Sequence, residues 1–267
     1  MHFSAWLAEA VRKGYVDVPQ PYNAQVRRVS LLPEDVHTVV LWSKDFRSLL
    51  QDDGVRQALA RYDQVFCHLT ITGLGHTPLE PNIAPWQEVA AQLPALVEFA
   101  GDPRRVSVRY DPILHWYEGQ TIKSNLSVAE PILKAVSAAG ITAVRISFAT
   151  LYGKVLRRKG WQWYDPTADE RLEITQRLVA LARSLGITIY ACSQNDLQAA
   201  GALPSRCIDG DLLSALHPHK LPAATGKDPG QRPECGCTPS VDIGSYLMRC
   251  PNGCRYCYAN PLITAAD

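Results

Sequence analysis

Five of the chain's eight cysteines fall between residues 235 and 257. Cysteines scattered through a core would not bunch in this way, so the clustering reads as metal ligation. Cys250, Cys254 and Cys257 form C-x3-C-x2-C. Asn252-Gly253 favours a tight turn between the first two, so one loop can wrap a metal cluster with three thiolates. Tyr256, just before the last, could shield one face of it. Cys192, Cys207, Cys235 and Cys237 make a second set. Four thiolates could bind an auxiliary [4Fe–4S] cluster or a structural zinc; alternatively Cys192 is a buried strand residue and only some of the others bind metal. Cys67 lies inside an apolar run with no partner spacing and reads as a small core residue.

The loop CPNGCRYCYA resembles the cluster motif of the radical S-adenosylmethionine superfamily, in the version found in the spore photoproduct lyase group. The resemblance implies a [4Fe–4S] cluster held by Cys250, Cys254 and Cys257, with one iron left open for the amino and carboxylate groups of S-adenosylmethionine. It implies reductive cleavage of a C–S bond to start radical chemistry, and an electron donor such as flavodoxin or ferredoxin. The wider chain resembles an uncharacterised bacterial family, a domain of unknown function. The shared phrases are RVSLLPEDV with VLWSK after it, VRYDP, ISFATLY, RCIDG, and QRPECGC-x2-S-x-DIG-x-Y ending in YCYAN. There are two departures. The superfamily usually places its cysteines after the first strand, whereas here they close the sequence. A strand at 240–246 is therefore expected to feed the cluster loop, in permuted order. Members of the uncharacterised family usually open with an extra strand and an Arg-Arg-Thr-Asp stretch, so the start is expected to be truncated or misassigned.

Other polar residues fall at expected strand ends. Arg109 suits a bidentate carboxylate contact and Asp111 suits ribose hydroxyls, both of S-adenosylmethionine; the alternative is a structural Arg–Asp pair. Thr70, Thr72, Ser147 and Gln194 are candidates by position, or else polar residues rimming the mouth of the fold. His217 and His219 could ligate metal but suit a solvated loop better. Glu80-Pro81-Asn82 reads as a pocket loop or a helix lead-in. Residues 154–164, KVLRRKGWQWY, could track phosphates and stack bases, form a lid, or be a loop whose Trp side chains pack on the body.

The elements that must position these residues alternate. Strands are expected at 37–42, 65–72, 106–110, 143–148 and 187–192, with a sixth at 206–208. Helices are expected at 4–13, 55–61, 86–100, 128–139 and 169–185, the last opened by a Thr167-x-x-Glu170 capping box. Strand–helix alternation with apolar strands argues parallel βαβ units. The expected fold is α/β, a partial (β/α) barrel of TIM type over 1–203, with a loop-rich, cysteine-containing extension over 204–267 laid across the barrel mouth. A doubly wound open sheet is the alternative. Functional loops then lie at the strands' C-terminal ends.

Composition sets the outer bounds. The sequence has 267 residues, 46% hydrophobic and 20% charged, with formal net charge +1. Wholesale disorder and collagenous or coiled-coil chains are excluded. No apolar run reaches membrane-spanning length, no signal peptide is expected, and a reducing cytoplasm is the expected compartment. Near-neutral charge gives no general drive toward nucleic acid or anionic membrane. No Ser-His-Asp arrangement, P-loop or G-x-G-x-x-G supports phosphoryl transfer or dinucleotide binding. Two readings follow: a radical S-adenosylmethionine enzyme on an unidentified substrate, or a non-enzymatic zinc or iron–sulfur protein whose stapled tail binds a partner or nucleic acid.

Overall fold

The computed structural model describes residues 2–19, 25–244 and 248–263. The first helix, Ser4–Lys13, buries Leu7, Ala8, Ala10 and Val11 on one face. It leads into an antiparallel pair, β1 (Tyr15–Pro19) and β2 (Val26–Ser30). The strands that follow in chain order are β3 (Val39–Ser43), β4 (Val65–Thr70), β5 (Val106–Ile113), β6 (His115–Glu118), β7 (Thr121–Ser124), β8 (Ala143–Phe148), β9 (Trp163–Tyr164), β10 (Thr188–Ala191) and β11 (Leu203–Pro204).

Six of them form one parallel sheet in the order β11-β10-β8-β5-β4-β3. Each strand lies beside the next of the set in the chain. The order never reverses, so the doubly wound alternative, which needs a switch point, does not describe it. The sixth strand is Leu203–Pro204; residues 206–208 bend away. The strand expected at 240–246 is absent over 240–244, and Tyr246 lies outside the described residues. β6, β7 and β9 form a separate small antiparallel sheet.

Residues alternate across the parallel sheet. Leu41, Cys67, Leu69, Val106, Val108, Ile146 and Ile189 point into the main core beneath the helices. The opposite face is polar. Pairing aligns Trp42, His68 and Ser107 in one row, and Thr70, Arg109, Arg145 and Tyr190 in another. These buried polar groups need partners, and the chain after β11 supplies them. His68 Nε2 donates to the Cys207 carbonyl at 2.8 Å, Arg145 Nη2 to that of Arg206 at 2.9 Å, and Gln64 Nε2 to that of Leu213 at 3.0 Å. The helix Gly210–Leu216 packs Leu213 and Leu216 on Phe66. Gly210 is required there, since a Cβ would lie 1.8 Å from the Ala224 carbonyl oxygen. Residues 217–244 then run without helix or strand.

Helices cover the apolar face. The capping box forms as expected at Ala168–Ser184, with the Thr167 side chain on the Glu170 amide and the Glu170 side chain on the Thr167 amide. The stretch expected as one helix over 86–100 is two, Trp86–Ala90 and Leu93–Ala100. Pro94 has no N–H to donate back into the preceding turn, so the helix restarts there. Among the described residues no helix is long and apolar enough to cross a membrane.

Candidate metal centre

The loop carrying Cys250, Cys254 and Cys257 lies against the segment that follows β4, at the C-terminal end of the sheet. Arg255 N–H donates to the Leu79 carbonyl at 3.0 Å, and Asn82 Nδ2 to the Pro251 carbonyl at 2.7 Å. The loop is closed by Leu262 N–H on the Cys250 carbonyl at 2.7 Å and Cys250 N–H on that of Asn260 at 3.1 Å. Gly253 takes φ +67°, and a Cβ would sit 3.2 Å from the Leu262 carbonyl oxygen, so the expected Asn252-Gly253 turn depends on glycine. Each thiol is within electrostatic reach of the other two. Burial pushes the Cys254 thiol up to about 12, against the opposing pull of Lys44. Burial also raises Cys250.

Beneath this loop lies Glu80, 1% exposed. Its Oε1 accepts from Lys44 Nζ at 2.9 Å, from Thr72 Oγ1 at 2.6 Å and from the Tyr256 hydroxyl. Burial opposes the charge on Lys44, but Glu80, Cys254 and Asp111 outweigh it and hold the ammonium up. Burial, then Glu80, pushes the Tyr256 phenol well above its usual range. Above the loop, the basic stretch at 154–164 supplies Arg158, whose guanidinium donates to the carbonyls of Arg255 and of Cys257, the latter at 2.6 Å. Trp161 and Trp163 stack at 5.6 Å and pack with Leu74, Leu114, Cys254 and Tyr256. The Trp side chains of that stretch thus pack on the body, as one of its three readings has it, and Arg158 contacts the cysteine loop.

Cys192, Cys207, Cys235 and Cys237 meet at the polar face of the sheet. Sγ of Cys192 and Cys207 stand 3.8 Å apart, Cys207 contacts Cys237, and Cys237 contacts Cys235. The neighbouring thiols Cys192 and Cys237, then Arg109 and His68, hold Cys207 well below its usual range against burial. Burial lowers His68 to about 3, helped by Arg145. Cys67 is fully buried in the main core, on the other face. Among the described residues no group of three or more His, Cys, Asp or Glu side chains is spaced to grip a single metal ion as it stands.

The other residues singled out from the sequence divide between these places. Arg109 donates to Asp111 and, at 2.8 Å, to Cys207 Sγ; burial would lower its charge, but Asp111, Cys207 and Cys192 more than reverse that. It therefore faces the second cysteine set. Asp111 also accepts from Ser147, so these three form one network. Lys44 lies in the field of both Asp111 and Cys254. Thr70 and Thr72 line a shallow cavity with Gly73, Glu80 and Trp86. Gln194 is turned to the backbone of Phe148, accepting from its N–H at 2.7 Å and donating to its carbonyl at 3.1 Å. His217 and His219 approach Asp63 at 3.9 and 3.7 Å, away from both cysteine sets. Sequence reasoning passed over His68 and Arg145, and met Lys44 only as part of a polar strand end. Their signal was a polar residue inside or ending an apolar strand run, in VFCHLT, AVRISF and VLWSK.

Among solved structures the chain is similar to D-hydantoinase from a Bacillus sp. AR9, at TM-score 0.36 and 14% identity over 70% of this chain and 43% of that one. It is similar to 2,3-dimethylmalate lyase, a PEP mutase/isocitrate lyase superfamily member, at TM-score 0.38 and 15% identity over 90% and 75%. A further D-hydantoinase structure gives TM-score 0.35 and 15% identity over 70% and 44%. The chain spans less than half the length of either D-hydantoinase, and likenesses of this size carry no argument about its activity. No curated protein matches the sequence. A family model does match, over residues 1–259, and by it the protein belongs to the family described as domain of unknown function DUF1848.

Proposed function

We propose that the protein is a radical S-adenosylmethionine enzyme whose [4Fe–4S] cluster is held by Cys250, Cys254 and Cys257. One observation carries the reading: three thiols of a single C-x3-C-x2-C loop, each within electrostatic reach of the other two, lie at the C-terminal end of a parallel sheet, the end where α/β folds place their chemistry. The donor set suits the group. It is soft and thiolate-forming, it offers three ligands from one loop, and the other ligand-forming cysteines belong to the separate set. The sequential strand order further supports reading the sheet as an arc of a (β/α) barrel. When bound, the cluster would supply one electron for cleavage of a C–S bond in S-adenosylmethionine, replenished by a donor of the flavodoxin or ferredoxin kind.

The chain's own residues would prepare the site. Lys44 is the cation acting on Cys254, and Asp111 in turn acts on Lys44; the two suit the carboxylate and the amino or hydroxyl groups of S-adenosylmethionine. Glu80 fixes Lys44 and Tyr256, and Arg158 fixes the loop from above. The stacked Trp161 and Trp163 exclude water from the Cys254 side. Eight unpaired cysteines suit a reducing compartment.

The test is anaerobic reconstitution with iron and sulfide, followed by electron paramagnetic resonance of the reduced protein. S-adenosylmethionine is expected to change the spectrum, and slow cleavage of it is expected without substrate. Replacing Cys250, Cys254 and Cys257 together by Ala abolishes both. A fully loaded cluster with no response to S-adenosylmethionine would leave the metal-stapled binding protein as the better account.

A further inference from the structure

Four cysteines from three separate stretches meet on the polar face of the sheet. Cys192 follows β10, Cys207 follows β11, and Cys235 and Cys237 come from the segment without regular structure. The Cys192 and Cys207 sulfurs stand 3.8 Å apart, Cys237 Sγ lies 3.2 Å from the Cys207 amide, and Cys235 neighbours Cys237. The N–H groups of Cys207 and Ile208 both aim at Cys237 Sγ, at 3.2 and 3.5 Å. Donors aimed at a sulfur favour its anionic form.

The surroundings carry uncompensated positive charge. Arg109 reaches Cys207 Sγ but is paired with Asp111. Arg145 is 4% exposed and has no carboxylate partner among the described residues. It donates to Ser107 Oγ and to the Arg206 carbonyl, and its Nε is buried without a partner. A guanidinium cannot shed its proton, and an unpaired buried charge is costly. The groups near Arg145 able to carry negative charge include Cys207 and Cys192. Four neutral thiols would leave Arg145 unbalanced. Four free thiolates would overshoot it.

We infer that Cys192, Cys207, Cys235 and Cys237 bind a metal centre of net negative charge through four thiolates, with Arg145 as its buried counter-cation. A tetrathiolate zinc and a four-cysteine [4Fe–4S] cluster share this chemistry, each with a net charge of about −2. The four sulfurs do not surround one point in this arrangement. Rotation of a cysteine between staggered positions moves its sulfur by about 3 Å without moving the backbone, and binding would draw on that freedom. The inference does not rest on the radical reading, because it uses none of the residues of the Cys250 loop.

The test uses the full chain with Cys250, Cys254 and Cys257 replaced by Ala, so that only the second set can bind. One anaerobic sample is reconstituted with iron and sulfide, another with Zn2+, and bound metal is counted after gel filtration. The expected result is about four irons with thiolate-to-iron absorbance, or about one zinc, per chain; the arm that fills names the metal. Less than about a tenth of a site filled in both arms, or a Cys192–Cys207 disulfide in place of metal, would overturn the inference. In the same background Arg145→Gln is expected to weaken retention against a chelator by about 10–100-fold. Arg145→Lys keeps the charge and retains metal close to the parent. Equal retention in Arg145→Gln, or a Lys variant as weak as the Gln variant, would overturn the role of Arg145. Circular dichroism of each variant separates loss of metal from loss of fold.

Discussion

The Tyr256 hydroxyl and the Lys44 ammonium donate to the same oxygen of Glu80, so one buried carboxylate ties the cysteine loop to the strand end of β3. Glu80→Ala leaves Lys44 without its counter-charge and two hydroxyls without an acceptor. The expected cost is about 3–5 kcal/mol, the range for breaking a buried pair from one side. Tyr256→Phe removes one hydrogen bond and is expected to cost about 1 kcal/mol. Urea unfolding of the two variants checks the order. A Glu80→Ala variant as stable as Tyr256→Phe would contradict it.

Arg158 holds the loop by two carbonyls that flank Tyr256. Arg158→Ala is expected to lose about 1.5–3 kcal/mol of local stability, the value of hydrogen bonds to a charged group. Hydrogen exchange should quicken at 254–258 while β5 and β8 keep their protection. Uniform loss of protection would show that Arg158 supports the whole fold and not this loop alone.

Gly253→Ala tests the turn between the first two cysteines. Its φ of +67° costs an L-residue about 1–2 kcal/mol, and the added methyl would press on the Leu262 carbonyl. Iron retained after anaerobic reconstitution should fall, with the melting temperature of the body little changed. Full retention would mean that the loop reaches its ligating shape by another turn.

His115 carries a pH dependence. It is buried between Phe148 and Tyr164, and its Nδ1 has no partner. Burial lowers its pKa, with Glu170 opposing. The unfolded histidine takes up a proton near pH 6.5, whereas the folded one takes it up only at lower pH. Its contribution to stability is therefore intact above about pH 6.5 and is lost as pH falls from there toward the folded pKa. Melting temperatures from pH 7.5 to 5.5 should decline less steeply in His115→Gln than in the parent. Parallel curves would assign the acid sensitivity elsewhere.

The five central strands and the first helix were legible because their apolar runs and glycine stops are local signals. The small antiparallel sheet was not, although Gly119 at φ +61° between β6 and β7 marks a hairpin. β6 and β7 are four residues long and β9 only two, too short to carry an apolar pattern of their own. The two cysteine sets were visible as spacing. What spacing could not give was the company they keep. Arg109 reads as a ligand-binding strand end, yet it turns toward Cys207, because pairing puts it in the same row as Arg145 on the face that the later chain covers. Lys44 and Glu80 lie 36 residues apart, and only the sheet brings them to one loop.

The polar face of the sheet has a consequence for synthesis. Gln64 and Arg145 also reach Thr38 and Ser107, but Gln64, His68 and Arg145 each donate to a backbone carbonyl within residues 206–213, so a chain emerging from the ribosome leaves those three bonds unmade until that stretch is out. The strands can align early through their apolar side, but the inner layer must wait for residues 206–213 to be made.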